Sequence, residues 1–359
     1  RGGSDGRDRR ARSATAAVSI GLRLAIGVAV VTVAGVGIAT AHRADGFVVT
    51  RLATDARDAK LVNAWGLASS PTGPWWIANE ARSASTLYAG DGHKQALTVA
   101  VEGGPTGIVY SGGKGFVVRS GGAAGPARFI YACEDGTIRA WSPTVPHRWS
   151  TEAVVAVDEG EKGVIFRGLA LGPHRLYATD FHSGGVYVFD EHWRRIVRPG
   201  AFVDPKIPSW YTSFGITVAA AHVFVTYAVP APVNGNDAPT GGYVDEFDLD
   251  GRLVARVAQM DELNEPWGLA VAPDGKLLVA NFGSGRINQY VRQGRGWSFK
   301  GQLQGRDGKP LAISGLWGIG FGNGAMAGPK DTLFFAAGPH RWRGASELGV
   351  HGLLGSISR

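Results

Sequence analysis

One unit recurs six times along this chain, and that recurrence limits the fold more than any other feature. Each copy runs residue–Gly–apolar–x–apolar, then a turn, a β-rich run, a polar corner and a third run of alternating type. The copies begin at Trp65 ("WGLASSPTGPWWIANEARSASTLYAGDG"), Thr106 ("TGIVYSGG", leading to "ARFIYACEDGTIRAWSP"), Arg167 ("RGLALGPHRLYATDFHSGGVYVFDEH"), Phe214 ("FGITVAAAHVFVTYAVP"), Trp267 ("WGLAVAPDGKLLVANFGSGRINQYVRQG") and Trp317 ("WGIGFGNG"). Successive starts lie 41, 61, 47, 53 and 50 residues apart. A more variable fourth run fills the remainder, as in "ALTVAV", "AVVAVD" and "LVARVAQ". Short runs rich in Val, Ile, Tyr and Phe, bounded by Gly, Pro, Asn and Asp, read as strands. Four strands per period of about 40–50 residues make the blade of a β-propeller. The prediction is an all-β, six-bladed β-propeller of four-stranded blades. A solenoid is the competing architecture, but its repeats are shorter and more regular, and an open stack leaves exposed end edges. The run "GFVVTRL" (46–52) is expected to join the last blade and close the ring. The 54 glycines follow no G-X-Y period and fit many tight turns.

Residues 1–41 stand apart. Residues 1–23 hold six Arg and two Asp, residues 24–41 ("LAIGVAVVTVAGVGIATA") carry no charge, and Ala39-Thr40-Ala41 forms an A-x-A site. A basic segment, an apolar segment and such a site make a secretory signal. An uncleaved anchor is the alternative, since the apolar run is near the lower limit for spanning. The expected organisation is a signal peptide or anchor at 1–41 and one propeller domain at 42–359, secreted or periplasmic, monomeric, and touching a membrane only through an uncleaved leader. The chain carries +7, and the leader accounts for +4 of it. The remaining +3, without a basic stripe interleaved with aromatics, predicts no nucleic-acid partner. Cys133 is the only cysteine. It excludes an internal disulfide and, at the end of "FIYAC", reads as a small buried hydrophobe.

The propeller reading brings polar corners together. Residues just before each inner strand and just after each second strand gather on one face. Strand starts contribute Asn63 with Trp65, Thr106, Arg167, Phe214, Asn264 with Trp267, and Trp317. Second-strand ends contribute Asn79 with Glu80, Glu134 with Asp135, Asp180 with His182, Tyr227, Asn281, and Gly338 with His340. Carboxylates, carboxamides and imidazoles ringed by aromatics suit a small polar molecule or a cation. A protein partner at the same face is the other reading. From this set the candidate ligand-binding residues are Asn63, Trp65, Asn79, Glu80, Arg167, Asn264, Trp267, Asn281, Trp317 and His340. Structural roles compete throughout. Asx side chains at strand ends bond the backbone of a turn, Asp135-Gly136 suits a hairpin turn, and the three Trp could pack between blades instead of lining the channel mouth. Asp180-Phe181-His182 is the least stereotyped corner and the leading functional pair. Arg82 and Arg167 are candidates for an anionic group. Two corners are enlarged, at 228–243 and 338–352, and long loops in a compact domain are often functional. No H-E-x-x-H, G-x-S-x-G, P-loop or CxxC motif is present. "GSGRIN" (283–288) is followed by a strand pattern, not by the helix of a dinucleotide loop.

The blade pattern "GLAVAPDGKLLVANFGSGRINQY" resembles the NHL-repeat propellers and, more distantly, the gluconolactonase and regucalcin type. The strings "LVNAWGLA", "PWWIANE", "EDGTIRAW", "LYATDFHSGGVYVFD", "PWGLAVAP", "LLVANFGSGRIN", "GLWGIGFGNG" and "HGLLGSI" together resemble an exported bacterial family of uncharacterised propellers and cover nearly all of 47–357. That family brings no reaction with it. The gluconolactonase type implies a divalent cation, commonly calcium, held by Glu, Asp and Asn oxygens. Here the metal ligands would be Glu80, Asp180 and Asn281, with Asn79, Asn63 or Asn264 as further donors, although no acidic residue opens the first inner strand. Two functional expectations follow. One is an exported propeller that binds a ligand or partner without catalysis. The other is a metal-assisted lactone or ester hydrolase in which Asp180 or Glu80 holds the cation and His182, with Asp180 the catalytic pair, moves a proton.

Overall fold

A computed structural model describes residues 46–230, 241–260, 262–343 and 346–359 of the protein. Residues 1–45, which include the expected signal segment, and the centre of the enlarged fourth corner, 231–240, lie outside the described residues. Strand β1 (Val48–Thr54) precedes the first blade. Blade 1 contains β2 (Ala64–Ser69), β3 (Trp75–Asn79), β4 (Ala84–Tyr88) and β5 (Lys94–Ala100). Blade 2 begins with β6 (Pro105–Tyr110). A small hairpin, β7 (Val117–Ser120) and β8 (Ala123–Pro126), interrupts it before β9 (Phe129–Cys133), β10 (Thr137–Trp141) and β11 (Val154–Asp158). Blade 3 is β12 (Phe166–Gly172), β13 (Arg175–Asp180) and β14 (Val186–Asp190). Blade 4 is β15 (Thr212–Ala219), β16 (His222–Ala228), β17 (Tyr243–Asp248) and β18 (Leu253–Gln259). Blade 5 is β19 (Pro266–Val271), β20 (Leu277–Asn281), β21 (Ile287–Gln293) and β22 (Gly296–Gln302). Blade 6 holds β23 (Leu316–Phe321) and β24 (Leu333–Ala337). A corner hairpin follows, β25 (His340–Arg343) with β26 (Ser346–Val350), and then β27 (Leu353–Ser358).

Five sheets have four strands and blade 3 has three. Its fourth position is taken by a short irregular segment, bridged at Phe189–Arg195 and by the Ile196 N–H to Val188 O. The chain turns there on Trp193, whose φ is +66°, a conformation that breaks strand geometry. In blade 6 the outermost strand is β1, antiparallel to β27 with Val48 opposite Ser358 and Thr54 opposite Leu353. The first strand therefore completes the last blade, as expected from "GFVVTRL", and the solenoid is excluded. Among the described residues no helix is long and apolar enough to cross a membrane.

The core lies between blades. Six apolar clusters each join two neighbouring blades round the ring; Trp76 and Leu87 of blade 1, for instance, pack on Phe129 and Tyr131 of blade 2. Strands β3, β9, β20 and β24 are buried along their whole length. Covered on both faces, they read as the near-continuous runs "WWIAN", "FIYAC", "LLVAN" and "LFFAA". Each large side chain so buried contributes roughly 1.5–3 kcal/mol. Cys133 sits in one of these interfaces, fully buried, with its thiol pushed up to about 12 by desolvation. It is an inert packing group.

The repeated glycine closes the circle. Every inner strand shifts register against its partner at the same place, between Ala64 and Leu67 in blade 1 and at the equivalent pair in the other five. A Cβ added at Gly66, Gly107, Gly168, Gly215, Gly268 or Gly318 would lie under 3.0 Å from the carbonyl oxygen of Thr106, Arg167, Phe214, Trp267, Trp317 or Trp65 respectively. Each glycine thus abuts the residue preceding the next blade's glycine, and the sixth returns to the first.

Candidate functional site

Strand pairing sets the start of each inner strand beside the end of the second. The opposed pairs are Ala64–Asn79, Pro105–Cys133, Phe166–Asp180, Thr212–Ala228, Pro266–Asn281 and Leu316–Ala337. The six corners therefore share one face, in three sets of equivalent positions. The residues before the glycines are Trp65, Thr106, Arg167, Phe214, Trp267 and Trp317. Those at or just past the second-strand ends are Glu80, Glu134, Phe181, Ala228, Phe282 and Gly338. Those three before the glycines are Asn63, Gly104, Ile165, Thr212, Glu265 and Gly315. In blades 1, 2, 3, 5 and 6 the carbonyl of this third set accepts the N–H of the second, as in Glu80 N–H to Asn63 O.

Aromatic rings from five blades fill the centre. Trp65 stacks on Trp317 at 3.5 Å between centroids, and Phe282 stacks on the other side of Trp317 at 3.9 Å. Trp267 and Phe214 meet Trp65 edge-on, and Phe181 stacks on Phe214. The indoles neither line an open mouth nor pack between blades. They meet on the axis and plug the channel at this face.

Charged groups sit around the plug. The Arg167 guanidinium lies 4.9 Å from the Trp65 ring and 5.6 Å from the Phe181 ring, and it pairs with Glu134. Burial pushes it down to about 10, against the pull of Glu80, and its Nε is buried without a partner among the described residues. Glu80 accepts from Asn63 Nδ2 at 2.7 Å, and Asn63 Oδ1 accepts from Trp317 Nε1 at 3.2 Å. Glu265 is different. Its side chain is half-buried, has no hydrogen bond or ion pair among the described residues, and is raised above the usual carboxylate range by burial alone. Its backbone is left-handed, φ +52°. Of the five equivalent residues, Asn63 (φ +49°) and the glycines Gly104 and Gly315 share this region and Ile165 and Thr212 do not; asparagine and glycine adopt it readily, a glutamate at a cost. A strained backbone carrying an unpaired, desolvated acid makes Glu265 a candidate functional position. Sequence reading selected the neighbour, Asn264. The detectable signal was Glu265's equivalence to Asn63 and two glycines.

The remaining expected residues are placed as follows. Asn79, Asp180 and Asn281 occupy equivalent buried positions, and their polar atoms turn towards the protein. Asn79 Nδ2 donates to Thr86 Oγ1 at 2.8 Å. Asn281 Oδ1 accepts the Asn264 N–H at 2.9 Å. Asp180 Oδ1 accepts the N–H groups of Ile165 and His182, each at 3.0 Å, and Oδ2 accepts from Ser183 Oγ. Asp180 thus bonds the main chain of His182, while the imidazole is exposed on the rim against Gly163. Asp135 Oδ1 closes its hairpin through Thr137. Arg82 donates to Ala59 O. His340 opens the hairpin of β25 and β26; its side chain lies outside the described residues.

Glu80, Asp180 and Asn281 do not fit a calcium ion. The Asp180 and Asn281 oxygens that a hard cation would require already accept N–H or O–H donors. Among the described residues no group of three His, Cys, Asp or Glu is placed to hold a metal. Asp180→Ala should leave the Ile165 and His182 amides without their acceptor and lower stability by about 2–3 kcal/mol in urea melts. His182→Ala should stay within about 0.5 kcal/mol.

Beyond the plug the axial channel remains open as a cavity of about 410 Å³. It runs from Trp267 to the far ends of the inner strands at Ser69, Leu171 and Phe321, and no charged side chain lines it. Each inner strand is the edge of its sheet, so unpaired main-chain groups face this cavity.

With this geometry in place, comparison with known proteins locates the chain. Residues 263–290, most of blade 5 with its approach, match the NHL repeat. The uncharacterised protein R648 of Acanthamoeba polyphaga mimivirus is 32% identical over 325 residues, covering 84% of this chain and 76% of that protein. The chain belongs to the R648 family. A second family member from the same virus, the uncharacterised protein L690, is 30% identical over 73% of this chain and 74% of its own. These relatives are viral, whereas the sequence resemblance pointed to bacteria. Among solved structures the R648-family fold is similar to a protein of unknown function from Bacteroides thetaiotaomicron, with TM-score 0.55, 11% identity, and 87% and 76% of the two chains covered. A streptogramin B lyase gives TM-score 0.53 at 10% identity, with 87% and 97% covered. The soluble aldose sugar dehydrogenase of Escherichia coli gives 0.52 at 12%, with 87% and 99% covered. Similarity at this level shows the fold alone.

Proposed function

We propose that the protein is a binding propeller that takes a small polar ligand on the corner face and performs no chemistry on it. Export behind the leader belongs to the same reading. Glu265 carries it: a half-buried carboxylate without a partner among the described residues, on a strained backbone, beside Trp267 and a floor of aromatic rings. Glu80 and Glu134 add two further acids, and Arg167, the guanidinium that lies against the aromatic rings, is already engaged by Glu134. Such a face favours a ligand with a cationic or hydrogen-bond-donating head for the carboxylates and an apolar surface for the indoles.

Calorimetric titration with choline, with glucose as a neutral polyol, tests this. Choline is expected to bind more tightly than glucose, and Glu265→Gln to weaken it about tenfold, roughly 1.4 kcal/mol. Binding unchanged by Glu265→Gln, or no binding of either probe to the wild-type protein, would overturn the proposal.

A further inference from the structure

We infer a second binding site, at the outer edge between blades 3 and 4, for a small molecule bearing a multiply charged oxyanion such as a phosphate or sulfate ester. Three segments distant in sequence meet there. Arg175 opens β13, Arg195 and Arg198 follow β14 where the fourth strand of blade 3 is replaced, and Arg252 lies on the turn into β18. Two cavities, of about 100 and about 300 Å³, adjoin through Arg198, Ala201 and Asp250. Arg175, Arg195 and Arg198 line the first; Arg198 and Arg252 line the second. Asp250 is the one acid lining either cavity.

The arrangement leaves guanidinium groups in excess. Arg175 and Arg198 both place an Nη1 at 2.6 Å from the same oxygen, Asp250 Oδ1. Arg195 lies 3.7 Å from the centroid of the Tyr187 ring, which orients its plane, and its N–H groups have no acceptor among the described residues. Among the described residues the Arg252 guanidinium reaches only Asp248, at 3.7 Å. The nearby turn acids are occupied: Asp248 Oδ1 accepts the Asp250 and Arg252 amides, and Asp190 Oδ1 those of His192 and Arg194. Four guanidiniums therefore line cavities that hold one carboxylate, Asp250, with Asp248 beside Arg252 the second acid within reach, over a floor of Val186, Val188, Ile196 and Phe202. Planar donors in this number match the oxygens of a phosphate or sulfate, and the apolar floor accommodates an organic remainder. The cavities are too small to enclose a polymer. This site is separate from the corner face and does not depend on its assignment.

Calorimetric titrations with inorganic diphosphate and with glucose 6-phosphate, at low and at physiological ionic strength, test the inference. Both should bind saturably, the sugar phosphate at least as well as diphosphate. The double variant Arg195→Ala/Arg252→Ala should lose affinity on the order of tenfold or more. Asp250→Asn, which removes the internal competitor, should bind about threefold or more tighter. Arg148→Ala, on a blade 2 loop, should change nothing. Absence of saturable binding, a double variant equal to Arg148→Ala, or weaker binding by Asp250→Asn would overturn the site. Heparin binding several-fold tighter than both small probes would overturn the small-molecule assignment.

Discussion

Gly215→Val is expected to destabilise the protein by about 3 kcal/mol or more, because overpacking a site with no room forces the backbone to move. The space a Cβ would need at Gly215 holds the Trp267 carbonyl, which belongs to the next blade's inner strand. That carbonyl cannot swing aside as a flexible side chain could. The strain also falls where blades 4 and 5 meet, beside the Trp267 indole of the axial plug. Urea melts should show a lower midpoint with the slope unchanged. Gly113→Ala is the matched control: its added Cβ meets nothing closer than 3.8 Å, and its effect should stay within about 0.5 kcal/mol. Equal effects at the two positions would show that the glycine ring does not bear on blade packing.

Arg256→Met should cost about 3–5 kcal/mol at pH 8 and clearly less at pH 5, because it strands a buried carboxylate that can escape by protonation. Arg256 donates through Nε to Asp245 and through Nη2 to Asp204, and lies over the Tyr243 ring. Asp245 is fully buried. Desolvation raises its carboxyl to about 7 from an ordinary 3.8, even against Arg256. The sign follows by linkage. Between 3.8 and about 7 the folded state keeps a proton that the unfolded chain has released. Stability from this group is therefore complete below that window and falls as pH rises through it. Removing Arg256 takes away the charge that opposes the upward shift, so the losses deepen above neutrality. Asp245→Asn should flatten the same pH dependence. A loss from Arg256→Met that is identical at pH 5 and pH 8 would contradict the assignment.

What could be read from the sequence and what could not divide along the range of the interactions. Blade number, the four-strand pattern and the role of "GFVVTRL" were legible because turns and alternation are local, and the glycine recurred at one place in each unit. Cys133 was legible as a packing residue for the same reason. Blade 3's missing fourth strand was not, since "HWRRIVRPG" carries enough apolar residues to suggest one, and the Trp193 turn decides otherwise. The corners were placed on the right face, but the direction of their side chains was not available. Trp65 stacks on Trp317, some 250 positions later, and no local pattern reveals that the rings converge on the axis. Asn79, Asp180 and Asn281 look alike whether they face a ligand or cap their own turn. In the fold the turns claim the hydrogen bonds of Asp180 and Asn281, Asn79 bonds Thr86 of the neighbouring strand, and the unpaired acid is Glu265, whose significance lies in a backbone angle.

The pairing of β1 with β27 has a consequence for how the molecule comes apart. Linear arrays of similar repeats melt from their ends, where a terminal unit has one neighbour instead of two. Here the unit that would be terminal is assembled from both extremities of the domain, so no blade is more weakly held by position alone. Opening the clasp undoes a contact spanning about 300 positions, whose re-formation carries the largest loop-closure entropy in the chain. Loss of order should therefore begin at that seam and spread to blades 6 and 1 together, making the joint between Val48 and Ser358 the fuse for the whole circle.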